Sequence, residues 1–137
     1  MILVDTNVWS ELTKPRGNPA VLAWLEANDA DLALSVLVIA EIRYGIELPG
    51  AAHKRPFLEA WLAGLEARYY GQTLPFDADA AHCYGKIAAR PEVKAREPQV
   101  IDMLIAAQAQ FHRAPVATRN MRDFDWIGVE LVNPWEG

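Results

Sequence analysis

Short apolar runs alternate with segments of helical periodicity along the whole chain. Residues 1–4 form a wholly apolar run, the pattern of a strand that is buried on both faces. Runs at 32–35, 73–76, 115–118 and 129–132 are likewise candidates for strands. The pattern therefore predicts five strands separated by helices.

Start and stop signals mark the predicted helices. Asn18 followed by Pro19 is a favoured start, and Ser35 and Asp77 are suitable capping residues. The stretch 90–98 is charged and contains two prolines, so it is predicted to be an exposed loop. The helices are predicted from Pro19 through Leu25, from Ser35 to about Leu48 (where Pro49-Gly50 stops it), from about Ala51 to Tyr70, after Asp77, and from Gln99 to His112.

Strands that alternate with helices in one short chain indicate an α/β fold with a mainly parallel sheet. No repeat, low-complexity tract or linker divides the sequence, so residues 1–137 are expected to form a single domain. In such folds, ligands bind beyond the carboxyl ends of the strands, where the strand order switches. Candidate chemistry is therefore sought at that edge of the sheet.

Asp5 directly follows the first predicted strand, in the tripeptide Asp5-Thr6-Asn7. One interpretation is local, because all three side chains readily bond to nearby backbone in turns and caps. The other is functional, because a carboxylate in this position lies at the edge where this fold class binds ligands. Asp5 by itself leaves both interpretations open.

Two further acidic residues, Glu41 and Asp102, lie on helix faces that are otherwise apolar or small. Neither has a basic residue three or four positions away. A carboxylate that faces a core without a partner is strongly destabilising or becomes protonated. Glu41 thus needs solvent, a distant arginine or a cation, whereas Asp102 has the helix dipole as another possible explanation.

Brought together, Asp5, Glu41 and Asp102 would repel one another. A hard divalent cation relieves such repulsion and prefers oxygen ligands. A site of this kind suits phosphodiester hydrolysis, since the metal lowers the pKa of a bound water and stabilises charge on the attacking and leaving oxygens. No set of cysteines or histidines offers a competing nucleophile.

The composition of the chain serves mainly to exclude certain classes of protein and site. The formal net charge of −5 does not favour nucleic-acid binding, so any RNA would have to be held by local arginines and lysines and by metal ions. The lone Cys83 excludes an internal disulfide and a cysteine-based zinc site. No apolar run approaches the roughly 20 residues of a membrane span. Because the N-terminus does not resemble a signal peptide, a cytoplasmic protein is expected.

Four segments, spread over essentially the whole chain, resemble the PIN domain of VapC-type toxins, in order and in spacing. They look closest to the FitB-like branch. The resemblance implies a five-stranded parallel sheet, Mg²⁺- or Mn²⁺-dependent endoribonuclease activity, a homodimer and pairing with an antitoxin, with possible assembly on operator DNA. The segments are ILVDTNVWSEL, SVLVIAEIRYGI, IDMLIAAQA and PVATRNMRDFDWIGVELVNPW.

Carried over by position, the resemblance makes Asp5, Glu41 and Asp102 the metal-binding carboxylates. Thr118 matches a hydroxyl at the end of the fourth strand. The fourth acidic position departs from the family pattern, because some relatives carry Asp where this chain has Asn120. Either Asn120, as a neutral oxygen donor, or the nearby Asp123 is expected to serve there. This departure leaves open whether one metal ion or two are bound.

Other functions compete with the nuclease as explanations of the sequence. A PIN scaffold could act without catalysis, through protein or nucleic-acid binding. A haloacid-dehalogenase-like phosphatase would use Asp5 as nucleophile, but this chemistry wants a second Asp where the chain has Asn7. A receiver domain would want an acceptor Asp near the middle of the chain.

For the dimer, apolar contact is expected around Trp24 and the 57–65 stripe of the long helix, although that face could instead pack on the sheet.

Overall fold

A computed structural model describes residues 1–136 of the chain. Five strands form one sheet in the order β3-β2-β1-β4-β5, and every neighbouring pair is parallel. The predicted α/β fold and the predicted strands are confirmed, although three of the strands contain only two residues. The strands are β1 (Ile2–Val4), β2 (Leu32–Ser35), β3 (Thr73–Leu74), β4 (Val116–Ala117) and β5 (Leu131–Val132).

Eight α-helices in the described residues surround the sheet, joined by several short 3₁₀ turns. Asn18, Ser35 and Asp77 cap α2, α3 and α5 as predicted, because each side-chain oxygen accepts a hydrogen bond from a first-turn N–H. The helices are α1 (Thr6–Trp9), α2 (Pro19–Ala27), α3 (Val36–Glu47), α4 (Arg55–Arg68), α5 (Ala78–Ala88), α6 (Glu92–Arg96), α7 (Val100–His112) and α8 (Met121–Phe124).

Two predictions about the helices are wrong. The stretch 90–98 is not simply a loop, because it contains α6. Pro91 occupies the position before the first turn, where its missing N–H costs nothing, and the acidic-to-basic order of the helix matches its dipole. The long helix begins at Arg55 rather than near residue 51, since Pro49–Lys54 form a 3₁₀ turn.

The strand order switches direction at β1. The chain proceeds from β1 through β2 to β3 on one side, and then returns to place β4 and β5 on the other side. The carboxyl ends of β1 and β4 therefore lie side by side at the switch point, where open α/β sheets bind their ligands. Asp5 follows β1 and Thr118 follows β4, and a hydrogen bond from Asp5 N to Ala117 O (2.9 Å) joins the two ends.

The core is built on the central strands, and Leu3, Val4, Leu34 and Val116 are completely buried. This explains why β1 and β4, in the middle of the sheet, are apolar throughout rather than alternating. Within residues 1–136, no helix combines the length and the apolar character that crossing a membrane requires.

Candidate functional site

Asp5 is almost completely buried, and its carboxylate accepts three hydrogen bonds. Oδ1 accepts from the backbone N–H of Thr6 at 2.8 Å. Oδ2 accepts from Thr118 Oγ1 at 2.8 Å and from Asn7 Nδ2 at 3.1 Å. Burial raises the pKa of Asp5, and these bonds partly oppose that rise because they stabilise the charged form. Asp5 thus caps α1, as the local interpretation expected, and also joins the ends of β1 and β4.

Asn7 extends this network to the segment that follows β4. Its Nδ2 lies 3.3 Å from Thr118 Oγ1, and its Oδ1 accepts a hydrogen bond from Arg119 N at 3.1 Å. The hydroxyl of Thr118 in turn accepts a hydrogen bond from Asn120 N at 3.0 Å. The backbone of residues 118–120 is therefore fixed against the first strand.

Glu41 reaches the same place from α3. Its Oε1 accepts a hydrogen bond from Thr6 Oγ1 at 2.8 Å. Burial raises the pKa of Glu41, the Thr6 hydroxyl opposes that rise, and repulsion from Asp5 adds to it. The carboxylate is half-buried, so it is held at the edge of the core rather than solvated on the surface.

Asp102 lies in the first turn of α7. Its pKa is raised from 3.8 to about 7, because burial disfavours the charged form and because the carboxylates of Asp5, Asp123 and Glu41 repel it. The favourable helix dipole does not offset these effects. The carboxyl group is therefore poised to gain or lose its proton near neutral pH.

One open pocket of about 280 Å³ brings most of the predicted site residues together. Thr118 does not line it, because its buried hydroxyl lies behind Asp5. Asn120 and Asp123 both line the pocket, so its geometry does not choose between them for the fourth position. The lining residues are Asp5, Thr6, Asn7, Glu41, Gln99, Asp102, Asn120 and Asp123.

In the part of the chain that the structure describes, no basic side chain forms an ion pair with this acidic pocket. Within residues 1–136, the ion pairs of the structure involve other acids, and none includes Asp5, Glu41, Asp102 or Asp123. The alternative in which a distant arginine pairs with Glu41 is therefore wrong. The pocket concentrates negative charge in a partly buried place, which is an unfavourable arrangement for the protein alone.

The donor set fits a hard cation such as Mg²⁺ or Mn²⁺, because carboxylate and amide oxygens are the ligands these ions prefer. No three His, Cys, Asp or Glu side chains in the described part of the chain already stand in a closed metal-binding arrangement. Mg²⁺ usually keeps several of its waters, and an open set of carboxylates around a cavity suits a partly hydrated ion. The residues therefore fit the ion through their chemistry and their shared pocket.

Three residues of the site were not among the predicted site residues. Thr6 holds Glu41, Asn7 connects Asp5 to Thr118, and Gln99 lines the pocket just before α7. The family resemblance includes Thr6 and Asn7 in its first segment, directly after Asp5, but no role was predicted for their side chains. Gln99 precedes Asp102 by three positions, one helical turn, which places it on the same face.

Comparison with known proteins agrees with this architecture. The PIN domain family model matches residues 2–128. The chain is 38% identical to "VapC ribonuclease Y4jK" of Sinorhizobium fredii, over 99% of each chain. It is 36% identical to "Toxin FitB" of Neisseria gonorrhoeae, over 98% of this chain and 99% of that protein. The solved structure of FitAB bound to the IR36 DNA fragment is similar, with 34% identity, a TM-score of 0.83 and coverage of 98% of this chain and 96% of that one.

Proposed function

This chain belongs to the PIN-domain family, and we propose that it is a divalent-metal-dependent endoribonuclease that acts as the toxin of a toxin–antitoxin pair. The whole of residues 1–137 would then be one PIN domain acting on RNA in the cytoplasm. The proposal is supported by the names of the two relatives, one a ribonuclease and the other a toxin.

The observation that carries the proposal is the uncompensated charge of the acidic pocket. Asp5, Glu41 and Asp102 come from three different elements, and burial raises the pKa of each. A purely structural role would not favour this arrangement, because like charges in a partly buried place destabilise the fold. A bound cation turns the same arrangement into an attractive one.

Some of the site residues would bind the ion, and others would hold those ligands in position. Asp5, Glu41 and Asp102 would supply the oxygen ligands, directly or through water. Thr118 would act on Asp5, because its hydroxyl donates to Oδ2 and fixes the carboxylate. Mg²⁺ or Mn²⁺ bound here would lower the pKa of a water and stabilise charge on the RNA phosphodiester during hydrolysis.

Asn120 and Asp123 would complete the pocket on the side of α8. The Asn120 backbone is fixed by Thr118, so its side chain projects from a defined point beside the carboxylates. Asp123 adds negative charge that contributes to the raised pKa of Asp102. Either residue would position the attacking water or help to bind a second cation.

The partner would be an antitoxin that also binds DNA. In support, the similar FitAB structure is bound to a DNA fragment. An antitoxin could inhibit this chain by placing an arginine among the carboxylates, since the guanidinium bonds two carboxylate oxygens at once and stays charged. The net charge of −5 would attract such a basic segment at long range.

The chain is also proposed to form a homodimer. On α4, Leu62 and Leu65 are buried in the core, so that part of the apolar stripe packs within the protein. Phe57, by contrast, is 57% exposed and would be available for a partner. Sedimentation of the purified chain at micromolar concentration should give the mass of a dimer, and a monomer would contradict this part of the proposal.

RNA cleavage by the purified, antitoxin-free protein tests the proposed activity. We expect cleavage in Mg²⁺ or Mn²⁺ and none in excess EDTA. Asp5→Asn should abolish it, because a neutral amide neither balances the cation nor accepts the same three hydrogen bonds. Asp125→Asn is the matched control, since Asp125 is an exposed partner of Arg96 and does not line the pocket. Undiminished cleavage in EDTA would contradict the mechanism.

A further inference from the structure

A second cavity opens directly beside the acidic pocket, and we call it the side groove. It has a volume of about 370 Å³ and lies between α1 and the helices α3 and α4. Thr6 and Glu41 line both cavities, and the 2.8 Å hydrogen bond between them forms part of the shared wall. A molecule bound at the carboxylates therefore has the side groove as its immediate neighbour.

One wall of the side groove is apolar. Leu58 and Trp61 of α4 line it, and both are half-buried. The indole Nε1 of Trp61 is itself buried and has no hydrogen-bond partner in the described residues. Since that nitrogen is turned into the protein, the exposed part of the ring is hydrocarbon, which is the surface on which a planar base stacks.

A cation stands beside this wall. Lys54 lines the side groove and is exposed, and it forms no ion pair with any acid in the described residues. An ammonium group in this position attracts a phosphate whose base lies in the groove. The side groove thus combines an apolar face for a base with a charge for the backbone.

We propose that the side groove binds one unpaired base of the RNA strand, next to the phosphodiester held at the acidic pocket. This inference rests on the proposed nuclease function and adds to it a source of sequence preference. Carboxylates and a cation interact with phosphate, which is the same in every nucleotide, so they cannot distinguish sequences. Unpaired bases can be distinguished instead, and a base that stacks on an aromatic side chain gives a modest preference because stacking strength differs between bases. Trp61 and Leu58 supply such a surface in the side groove, which shares a wall with the acidic pocket.

Gly45 offers a clean way to close the side groove. It lies on α3 and lines the cavity, and a Cβ built there meets no atom within 4 Å. Gly45→Leu should therefore fill the groove without a clash, and it replaces a poor helix former by a good one. Gly85→Leu is the matched control, because Gly85 lies within α5, is exposed and also has no atom within 4 Å of a built Cβ.

The experiment measures binding and cleavage of short single-stranded RNAs separately. Binding is measured by fluorescence anisotropy with Ca²⁺ in place of Mg²⁺, because Ca²⁺ also takes oxygen ligands. Cleavage is measured with Mg²⁺ on a pool of randomised sequence, and the cut ends are sequenced. We expect wild type to prefer certain bases at one position beside the cut. Gly45→Leu should lose that preference and weaken binding at least tenfold, whereas Gly85→Leu should match wild type.

Lys54→Gln should weaken binding of every sequence to a similar extent while leaving the base preference intact, because the lysine contacts phosphate. The inference is overturned if Gly45→Leu keeps both the preference and the affinity of wild type. It is also overturned if Gly45→Leu changes only the affinity for the antitoxin, which would assign the groove to a protein. If Gly45→Leu weakens RNA binding but wild type cleaves nothing in Mg²⁺, the proposed nuclease function fails and the base site stands.

Discussion

Two buried carboxylates near the start of the chain, Glu11 and Asp5, have pKa values that are shifted in opposite directions. Glu11 is 5% exposed and fully partnered, because Oε2 lies 2.9 Å from Lys14 Nζ and Oε1 accepts from Asn18 N at 2.9 Å. Those bonds lower the pKa of Glu11. Asp5 is 4% exposed, but its pKa is raised and it faces further acids across the pocket.

The difference separates structural from functional acids. Glu11 closes the 14–18 segment onto the 3₁₀ turn that follows α1, and its charge is balanced by the protein. The acidic pocket is unbalanced, so the folded chain without metal carries a destabilising repulsion there. Burial alone therefore does not identify a functional acid. A functional acid is identified instead as a buried acid whose negative charge must be balanced by a group from outside the chain.

Among the further substitutions that compare the two regions, Asp102→Asn in the acidic pocket should have the largest effect. Asp102→Asn should reduce RNA cleavage by more than about 100-fold, beyond the usual cost of losing an outer-shell partner of a metal. The same variant should melt at the same or a higher temperature than wild type at pH 8 without metal, because it removes repulsion. Cleavage assays and thermal melts measure the two effects. A variant that lost activity only by unfolding would contradict this account.

Metal binding should raise the melting temperature through the acidic pocket, and substitution of Glu11 should not change that rise. Binding to the native state alone adds RT ln(1 + [L]/Kd), about 2.7 kcal/mol at 100 times the Kd. Wild type should show a rise in melting temperature with Mn²⁺, and Glu41→Gln should show a clearly smaller one. Glu11→Gln, the comparison variant, should shift as much as wild type. Equal shifts for wild type and Glu41→Gln would remove Glu41 from the site.

Glu11→Gln should instead reduce stability with little effect on cleavage. The amide leaves Lys14 without its acid and weakens the bond to Asn18 N, which costs about 1–3 kcal/mol for a buried group. Denaturant unfolding of the metal-free protein measures the loss. If Glu11→Gln reduced cleavage as strongly as Asp102→Asn did at temperatures where it is folded, the two regions would not differ in role.

The smallest effect is an unusual pH dependence of the metal-free protein. The pKa of Asp102 is raised from 3.8 to about 7, so its contribution to stability is fully present below the unfolded value and is lost as the pH rises through 7. Glu11, whose pKa is lowered, contributes above its unfolded value and loses this contribution as the pH falls through its folded value. The melting temperature should therefore be higher near about pH 5 than at about pH 8. Asp102→Asn should flatten that slope.

The sequence predicted the acids of the pocket because their anomaly is local. Glu41 and Asp102 lack basic neighbours at helical spacing, and Asp5 ends a strand, so each is visible within a few residues. The role of Glu11 is not visible in this way, since its burial and its bond to Asn18 N depend on how the 14–18 segment folds back. The hydrogen bonds from Thr6 to Glu41 and from Thr118 to Asp5 likewise span 35 and 113 residues.

The same reasoning explains where the fold was predicted and where it was not. Caps and apolar runs are local signals, and they placed β1, β2 and α3 correctly. The α6 region was mistaken for a loop because charge and proline dominate its composition, although their order suits a short helix. The strand order, which brings β4 next to β1, depends on tertiary packing and was not predicted, since the family resemblance implied only a five-stranded parallel sheet.

The central claim is that the acidic pocket binds a divalent cation in place of the positive partner that the protein lacks. Calorimetric titration of Mn²⁺ at pH 7, in two buffers of different ionisation enthalpy, measures both binding and proton release. Because its pKa is raised to about 7, Asp102 is partly protonated there, so saturable binding should release a fraction of a proton from this residue. Asp125→Asn should behave like wild type, and Asp102→Asn should lose the release. No saturable binding, or binding without proton release, would contradict the account.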